Sequence, residues 1–291
     1  MKKALWILSI CLLGVLLSDF CHKQTKGFAV SKMTKPFSLS IDLAPENSEE
    51  VSLALNQPFY YLKKGRSAFV FESKDKKYVI KFLKSSNIFP PFWTTLSPAR
   101  FILSSRCKTL TKRMQLKRNE VLTSYKIADE SLKEQTGILY SHLETTSFLK
   151  KPITLYDNIK VKHSLAADST AFILQKRADP FHTYFHSLYR AEKKEEMEIL
   201  LKKFALLLHE RALKGIHDFD LSPRYNLGIC GEELLTFDLD GLRSCNPPTD
   251  SISLQKHMVH DGMKMLIWLE KLHTDLAIFL ELEIYKLSLL S

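Results

Sequence analysis

The spacing of the apolar residues changes along this chain, and that change limits the possible folds more than any other feature. From Phe59 to Lys84 (FYYLKKGRSAFVFESKDKKYVIKFLK) apolar and polar residues alternate in three short runs, 59–62, 68–72 and 78–82. A period of two sends successive side chains to opposite faces, so these runs predict an antiparallel meander with a turn at 73–77. From 192 to 214 the period becomes helical. Met197, Leu200, Leu201, Phe204, Leu207 and Leu208 share one face, Lys193, Glu195, Lys202 and Lys203 lie opposite, and Gly215 follows as the stop signal. A helix at about 116–128 and strand-like runs at 137–143, 153–156 and 171–176 lie between. After the long helix come a polar loop at 217–226, short strands at 227–230 and 234–237, and helical patterning from 254 to 290. Strands, a helix, strands and then helices make an α+β plan.

Composition narrows the function. Apolar residues form 45% of the 291, enough for a sizeable core, and only nine glycines argue against a glycine-rich dinucleotide fold. The net charge of +10 points to an anionic partner. It is concentrated: from Lys76 to Asn119 there are eleven Lys and Arg and no Asp or Glu. No basic strand with interleaved aromatics and no helix-turn-helix pattern accompanies it, so nucleic acid is not the expected partner. The five cysteines include no C-x-x-C pair and no histidines at zinc spacing nearby. They read as ordinary thiols of a reducing compartment.

At the N-terminus, Lys2 and Lys3 precede fifteen uncharged residues, 4–18 (ALWILSICLLGVLLS). That is short for a membrane span of about 20 residues, so 1–20 reads as a signal peptide or a marginal membrane anchor. Residues 21–56 carry Pro36 and Pro45 and read as a linker. Four lysines follow the apolar run against two before it, which favours a cytoplasmic, ATP-containing side for the domain at 57–291, with export as the alternative.

The residues able to carry chemistry fall in a particular order. Lys63, Gly65, Ala68 and Val70 occupy the positions of a G-x-G-x-x-G-x-V turn, with one glycine kept. Tyr78-Val79-Ile80-Lys81 ends an apolar strand on a cation. Glu120 is the first acid after the basic stretch, on a helix. Phe172-Ile173-Leu174-Gln175 is a second apolar strand. The stretch 215–242 (GIHDFDLSPRYNLGICGEELLTFDLDGL) then offers His217, Asp218, Asp220, Asn226, Asp238 and Asp240 around one short hairpin.

Over about 59–245 this order resembles the protein-kinase-like superfamily. The ending Phe237-Asp238-Leu239-Asp240-Gly241 is nearest to the lipopolysaccharide-kinase and aminoglycoside-phosphotransferase forms. The resemblance implies a bilobal fold with a small antiparallel-sheet lobe at 57–176 and a helical lobe at 177–291. It also implies the cofactors ATP and Mg2+. By the same resemblance Gly65, Lys81, Glu120 and Gln175 bind nucleotide, Asn226 and Asp238 hold the metal, and Asp220 is the base that takes the proton of an acceptor hydroxyl.

The sequence departs from the pattern in two places. Five residues separate Asp220 from Asn226, one more than in H-R-D-x-x-x-x-N, and His217 stands three before Asp220, so Asp218-x-Asp220 competes for the role of the His-x-Asp pair. These departures keep a second reading open, a membrane-tethered pseudokinase that acts as scaffold or regulator. A hydrolytic or metal site on Asp218, Asp220, Asp238 and Asp240 is a further alternative. Finally, Phe89, Phe92 and Trp93 precede Arg100, Arg106, Lys108, Lys112, Arg113, Lys117 and Arg118. Aromatics beside unopposed positive charge suit an anionic membrane surface or a lipid-linked acceptor.

Overall fold

The computed structural model describes residues 2–33, 48–84 and 104–290. In chain order these form α1 (Lys2–Gln24), α2 (Ser48–Leu55), β1 (Phe59–Lys64), β2 (Ala68–Ser73), β3 (Tyr78–Leu83), α3 (Ser104–Ser131), α4 (Lys133–Thr136), β4 (Ile138–His142), β5 (Pro152–Tyr156), β6 (Lys162–Ala166), β7 (Phe172–Lys176), β8 (Asp179–Pro180), α5 (Phe181–Arg190), α6 (Lys194–Leu213), β9 (Ile216–Asp218), β10 (Leu227–Cys230), β11 (Glu233–Thr236), β12 (Leu242–Ser244), α7 (Ser251–Leu272) and α8 (Thr274–Ser288). The architecture is α+β, and the chain divides into two compact units, 1–115 with 139–174, and 116–138 with 175–291.

The first unit is built on a seven-stranded mixed sheet, ordered β4-β7-β3-β2-β1-β5-β6. The alternation at 59–84 becomes the meander β1-β2-β3, with Val70 opposite Lys81. One face of these strands carries Phe69, Phe71, Ile80, Phe82, Phe172 and Leu174 into a single core. By the two-residue period, Val70, Val79, Lys81 and Leu83 take the other face, which is also buried. The region read as a linker contributes to this core: Phe28, Met33, Val51, Ala54 and Leu55 are all buried in it. The polar character of 21–56 hid an eight-residue helix, α2, with one apolar stripe. Along α1, Leu12, Leu13, Leu16, Leu17 and Phe20 are exposed. No helix among the described residues is long and apolar enough to cross a membrane.

The second unit is mostly helical. The predicted stripe on α6 is buried as expected, with Met197, Leu200, Leu201, Phe204, Leu207 and Leu208 packed among residues of α5, α7 and α8. Gly215 ends the helix region at φ 62°, a conformation that disfavours any side chain, and a Cβ there would lie 2.4 Å from the Cys245 carbonyl oxygen. The unit boundary differs from the lobe boundary expected at 176/177, because residues 116–138 pack with the second unit. Ser124 hydrogen-bonds to the Leu239 carbonyl and to the Leu242 amide, and Gln135 to Arg211. Of the basic aromatic insertion, Phe89, Phe92, Trp93 and Arg100 lie outside the described residues, while Lys112 and Arg113 are exposed on α3.

Candidate functional site

The loop after α6 is held by a short antiparallel ladder. β9 pairs with β12 in the register Leu242 to Asp218, Arg243 to His217 and Ser244 to Ile216. The pairing continues one step beyond these pairs, where the Phe219 amide donates to the Gly241 carbonyl at 3.2 Å. A Cβ at Gly241 would come within 2.6 Å of Asp218 Oδ1 and 2.9 Å of the Asp220 amide nitrogen. The glycine that closes Asp238-Leu239-Asp240-Gly241 is thus the residue that lets this segment lie against Asp218 and Asp220.

The two candidate acids of this loop have different environments. Asp218 is 3% exposed and spends its carboxylate on structure. Its Oδ2 accepts from Arg211 Nη1 at 3.0 Å and its Oδ1 from the Asp220 amide at 3.1 Å. Burial pushes the Asp218 carboxyl up from its ordinary value, against the pull of the Arg211 guanidinium. Arg211 also donates to Gln135 Oε1 at 2.8 Å and to Thr236 Oγ1, which ties α6 to α4 and β11. From α7, Asp261 Oδ2 accepts the Asp218 amide at 2.9 Å and Oδ1 accepts His217 Nδ1 at 2.8 Å. Asp220 instead reaches solvent, its side chain 41% exposed, and its Oδ1 lies 2.8 Å from Lys264 Nζ.

Asn226 and Asp238 flank the open end of the β10–β11 hairpin. Leu227 pairs with Thr236, and one step outward the Phe237 amide donates to the Asn226 carbonyl at 2.8 Å. The extra residue between Asp220 and Asn226 is absorbed in a helical turn, with the Asn226 amide donating to the Ser222 carbonyl at 3.0 Å. An amide oxygen and a carboxylate at one hairpin end are the hard donors that Mg2+ takes from protein, the remaining positions going to water and substrate phosphate. By donor type alone, Asn226 and Asp238 suit such an ion. From α3, Ser124 holds Leu239 and Leu242, and the Tyr125 hydroxyl reaches Asp240 Oδ1 at 3.4 Å, so the Asp238–Leu242 segment is tied to that helix at three points.

The other predicted residues are distributed between the units. Glu120, also in the second unit, lies 3.7 Å from Arg243, and both side chains are more than half exposed. Gln175 is fully buried and donates from Nε2 to the Thr136 carbonyl at 2.9 Å. In the first unit, the Gly65 amide donates to the Ala68 carbonyl at 2.9 Å, making the tight turn between β1 and β2. Lys84 Nζ donates to the carbonyls of that turn, at Gly65 and Arg66. Lys81 is 7% exposed, a cation on an otherwise apolar buried face. Sequence reasoning did not find Arg211, Asp261 or Lys264. Each sits on a helix whose local pattern shows only an amphipathic surface, and each acquires its partner through packing.

No protein-family model matches the chain, and no curated protein sequence matches it. Solved structures do resemble it. One of WbdD is 13% identical with a TM-score of 0.36, over 78% of this chain and 45% of that one. Another, described as the bifunctional kinase-methyltransferase WbdD, is 12% identical with a TM-score of 0.37, over 90% and 48%. The complex of Rv3197 with erythromycin from Mycobacterium tuberculosis is 12% identical with a TM-score of 0.38, over 78% and 55%. The chain thus spans about half the length of these proteins.

Proposed function

We propose that this chain is a kinase-like phosphotransferase that moves the γ-phosphoryl group of MgATP to a hydroxyl acceptor, a lipopolysaccharide sugar or a protein side chain. The observation that carries the reading is the division of labour in the loop at 217–226. Asp218 is buried in structural bonds, Asp220 is presented to solvent, and Asn226 and Asp238 flank the open end of the hairpin that follows. In this reading Asp220 accepts the proton of the acceptor hydroxyl, and Lys264 beside it offers positive charge to the group being transferred. Asn226 and Asp238 would hold Mg2+, which supplies charge neutralisation for the phosphate oxygens when bound. In the first unit, Lys81 is the cation that the family resemblance assigns to the α- and β-phosphates, and Gly65 the turn that approaches them.

One feature favours the second reading, a pseudokinase. The Gly65 amide already donates to the Ala68 carbonyl, and only one of the three loop glycines is kept, so backbone amides have less freedom to approach phosphate. In either reading the N-terminal helix and the basic insertion suit a protein that works at an anionic membrane surface or on a lipid-linked acceptor.

A thermal-shift titration of the full chain with MgATP tests both readings. Saturation of the native protein should raise its melting temperature, with little rise in Lys81→Ala or Asp238→Ala. No shift in the native chain would exclude the phosphotransferase reading and leave the pseudokinase scaffold. A shift without phosphoryl transfer to any hydroxyl or to water would favour the pseudokinase.

A further inference from the structure

The second unit contains a cluster of metal-ligating side chains that phosphoryl transfer does not use. His217 on β9, Cys245 just after β12 and His257 on α7 each place one ligand atom within 4.8 Å of the others. The residues are 28 and 12 positions apart in sequence, so no local spacing announces them. They converge because β12 pairs with β9 and α7 packs behind that ladder, with the Cys245 amide donating to the Gly215 carbonyl at 2.7 Å.

The hydrogen bonds around the cluster resemble the outer partners of a metal site. A metal-binding histidine characteristically gives its second ring nitrogen to a carboxylate or a backbone carbonyl, which fixes the ring and its tautomer. Both histidines meet that condition. His217 Nδ1 lies 2.8 Å from Asp261 Oδ1, and His257 Nε2 lies 3.1 Å from the Ile216 carbonyl oxygen. The ring nitrogens outside these two bonds, Nε2 of His217 and Nδ1 of His257, are the ones an ion would take together with the Cys245 sulfur. Asp261 is tied further by the Asp218 amide at 2.9 Å and by His260 Nδ1 at 3.0 Å, so the supporting shell is itself held in place.

Beside the cluster opens a cavity of about 370 Å³, lined by His217, His257, His260, Lys256, Asn246 and Pro247 among others. The two imidazoles now stack, with centroids 3.5 Å apart and planes at 14°. For their in-plane lone pairs to converge on one ion the rings must fan apart, toward the cavity that both of them line. Two nitrogens and a sulfur suit a borderline-soft ion better than Mg2+ or Ca2+, which take oxygen donors.

We propose that His217, Cys245 and His257 bind a divalent cation of the zinc class, with a fourth coordination position open to the cavity. The ligand set contains none of Asp220, Asn226 and Asp238, so the site stands or falls independently of the phosphotransferase reading. It joins β9, the strand that begins the loop at 217–226, to α7 and to the segment after β12. Occupancy should therefore stiffen that ladder and raise the melting temperature of the whole chain.

The test is titration of the chelator-treated full chain with Co2+ alone, followed by absorbance and by competition with Zn2+. One equivalent should bind, with a thiolate-to-cobalt charge-transfer band and the visible bands of a tetrahedral ion, and Zn2+ should displace it. Cys245 is exposed, so Cys245→Ser should fold normally. It should lose the charge-transfer band and weaken Co2+ binding at least as much as the roughly 10–100-fold that loss of an outer partner costs. His257→Gln should weaken binding similarly, and if it fails to fold, Cys245→Ser decides alone. No stoichiometric Co2+ on the folded native chain would overturn the proposal. So would a charge-transfer band that survives Cys245→Ser, since it would place the ion on Cys21, Cys107, Cys230 or elsewhere.

Discussion

Arg211 and Asp218 form a 3.0 Å ion pair in which each side chain is only 1% exposed. The pair links the end of α6 to the start of the loop that carries Asp220. A buried pair of this kind is not a large net source of stability, but removing one partner strands the other charge without water. Asp218→Ala should therefore destabilise the fold by about 3–5 kcal/mol, and Arg211→Ala by a similar amount. Urea unfolding of the purified chain measures both. A loss below about 1 kcal/mol would mean that water reaches the pair.

Asp220→Asn should abolish most phosphoryl transfer while leaving the MgATP-induced rise in melting temperature intact, because a base acts on the acceptor and not on the nucleotide. Asp218→Asn should instead act mainly on stability. If Asp218→Asn folds normally and stops transfer while Asp220→Asn leaves transfer intact, the roles of the two acids have been exchanged in this reading.

Two glycines with nearly the same backbone angle should respond differently to the same change. Gly215 and Gly231 have φ of 62° and 60°. A Cβ at Gly231 would meet nothing within 4 Å, whereas at Gly215 it would press on Cys245 and Pro247. Gly231→Ala should cost about 1–2 kcal/mol, the backbone strain alone. Gly215→Ala should cost roughly 2–5 kcal/mol, strain plus overpacking. Equal losses in denaturant unfolding would contradict the close approach at Gly215.

His142 gives the first unit a dependence on pH. It is 1% exposed, with Nδ1 2.8 Å from the Thr170 carbonyl and Nε2 3.0 Å from Thr146 Oγ1, and burial holds it below its ordinary value. The unfolded chain then takes up the proton first, at about pH 6.5. The stability that the neutral ring contributes is complete above that pH and is lost as pH falls toward the depressed folded value. Melting temperatures at pH 7.5 and 5.5 should show a smaller drop for His142→Gln than for the native chain. An identical drop would assign the acid sensitivity to other groups.

Co-sedimentation of the full chain with vesicles tests the membrane-surface reading. Binding should need anionic lipid, weaken as salt rises, and fall when Arg100, Arg106, Lys112 and Arg113 are neutralised together, at about 1 kcal/mol per charge. Binding that ignores salt and these residues would leave α1, with its exposed leucines, as the sole attachment.

What the sequence determined by itself was local and periodic. The alternation at 59–84 specified β1 to β3, and the helical stripe at 197–208 specified the buried face of α6, because period alone decides which side chains share a face. Gly215 as a stop signal was equally legible, since its left-handed angle is a property of one residue. The order of Asp220, Asn226 and Asp238 around a hairpin was legible because the hairpin is short enough for chain connectivity to hold its two ends together. Tertiary structure alone decided the rest. It assigned Asp218 to the interior and Asp220 to solvent, through Arg211 from one helix and Asp261 and Lys264 from another. It drew Phe28, Val51 and Leu55 of a polar stretch into the first unit's core. It gathered His217, Cys245 and His257, for which sequence spacing predicted no metal cluster, into one place. In each case the determining contact joins residues far apart in the chain, and a local pattern records which way a side chain faces but not what the fold will pack against it.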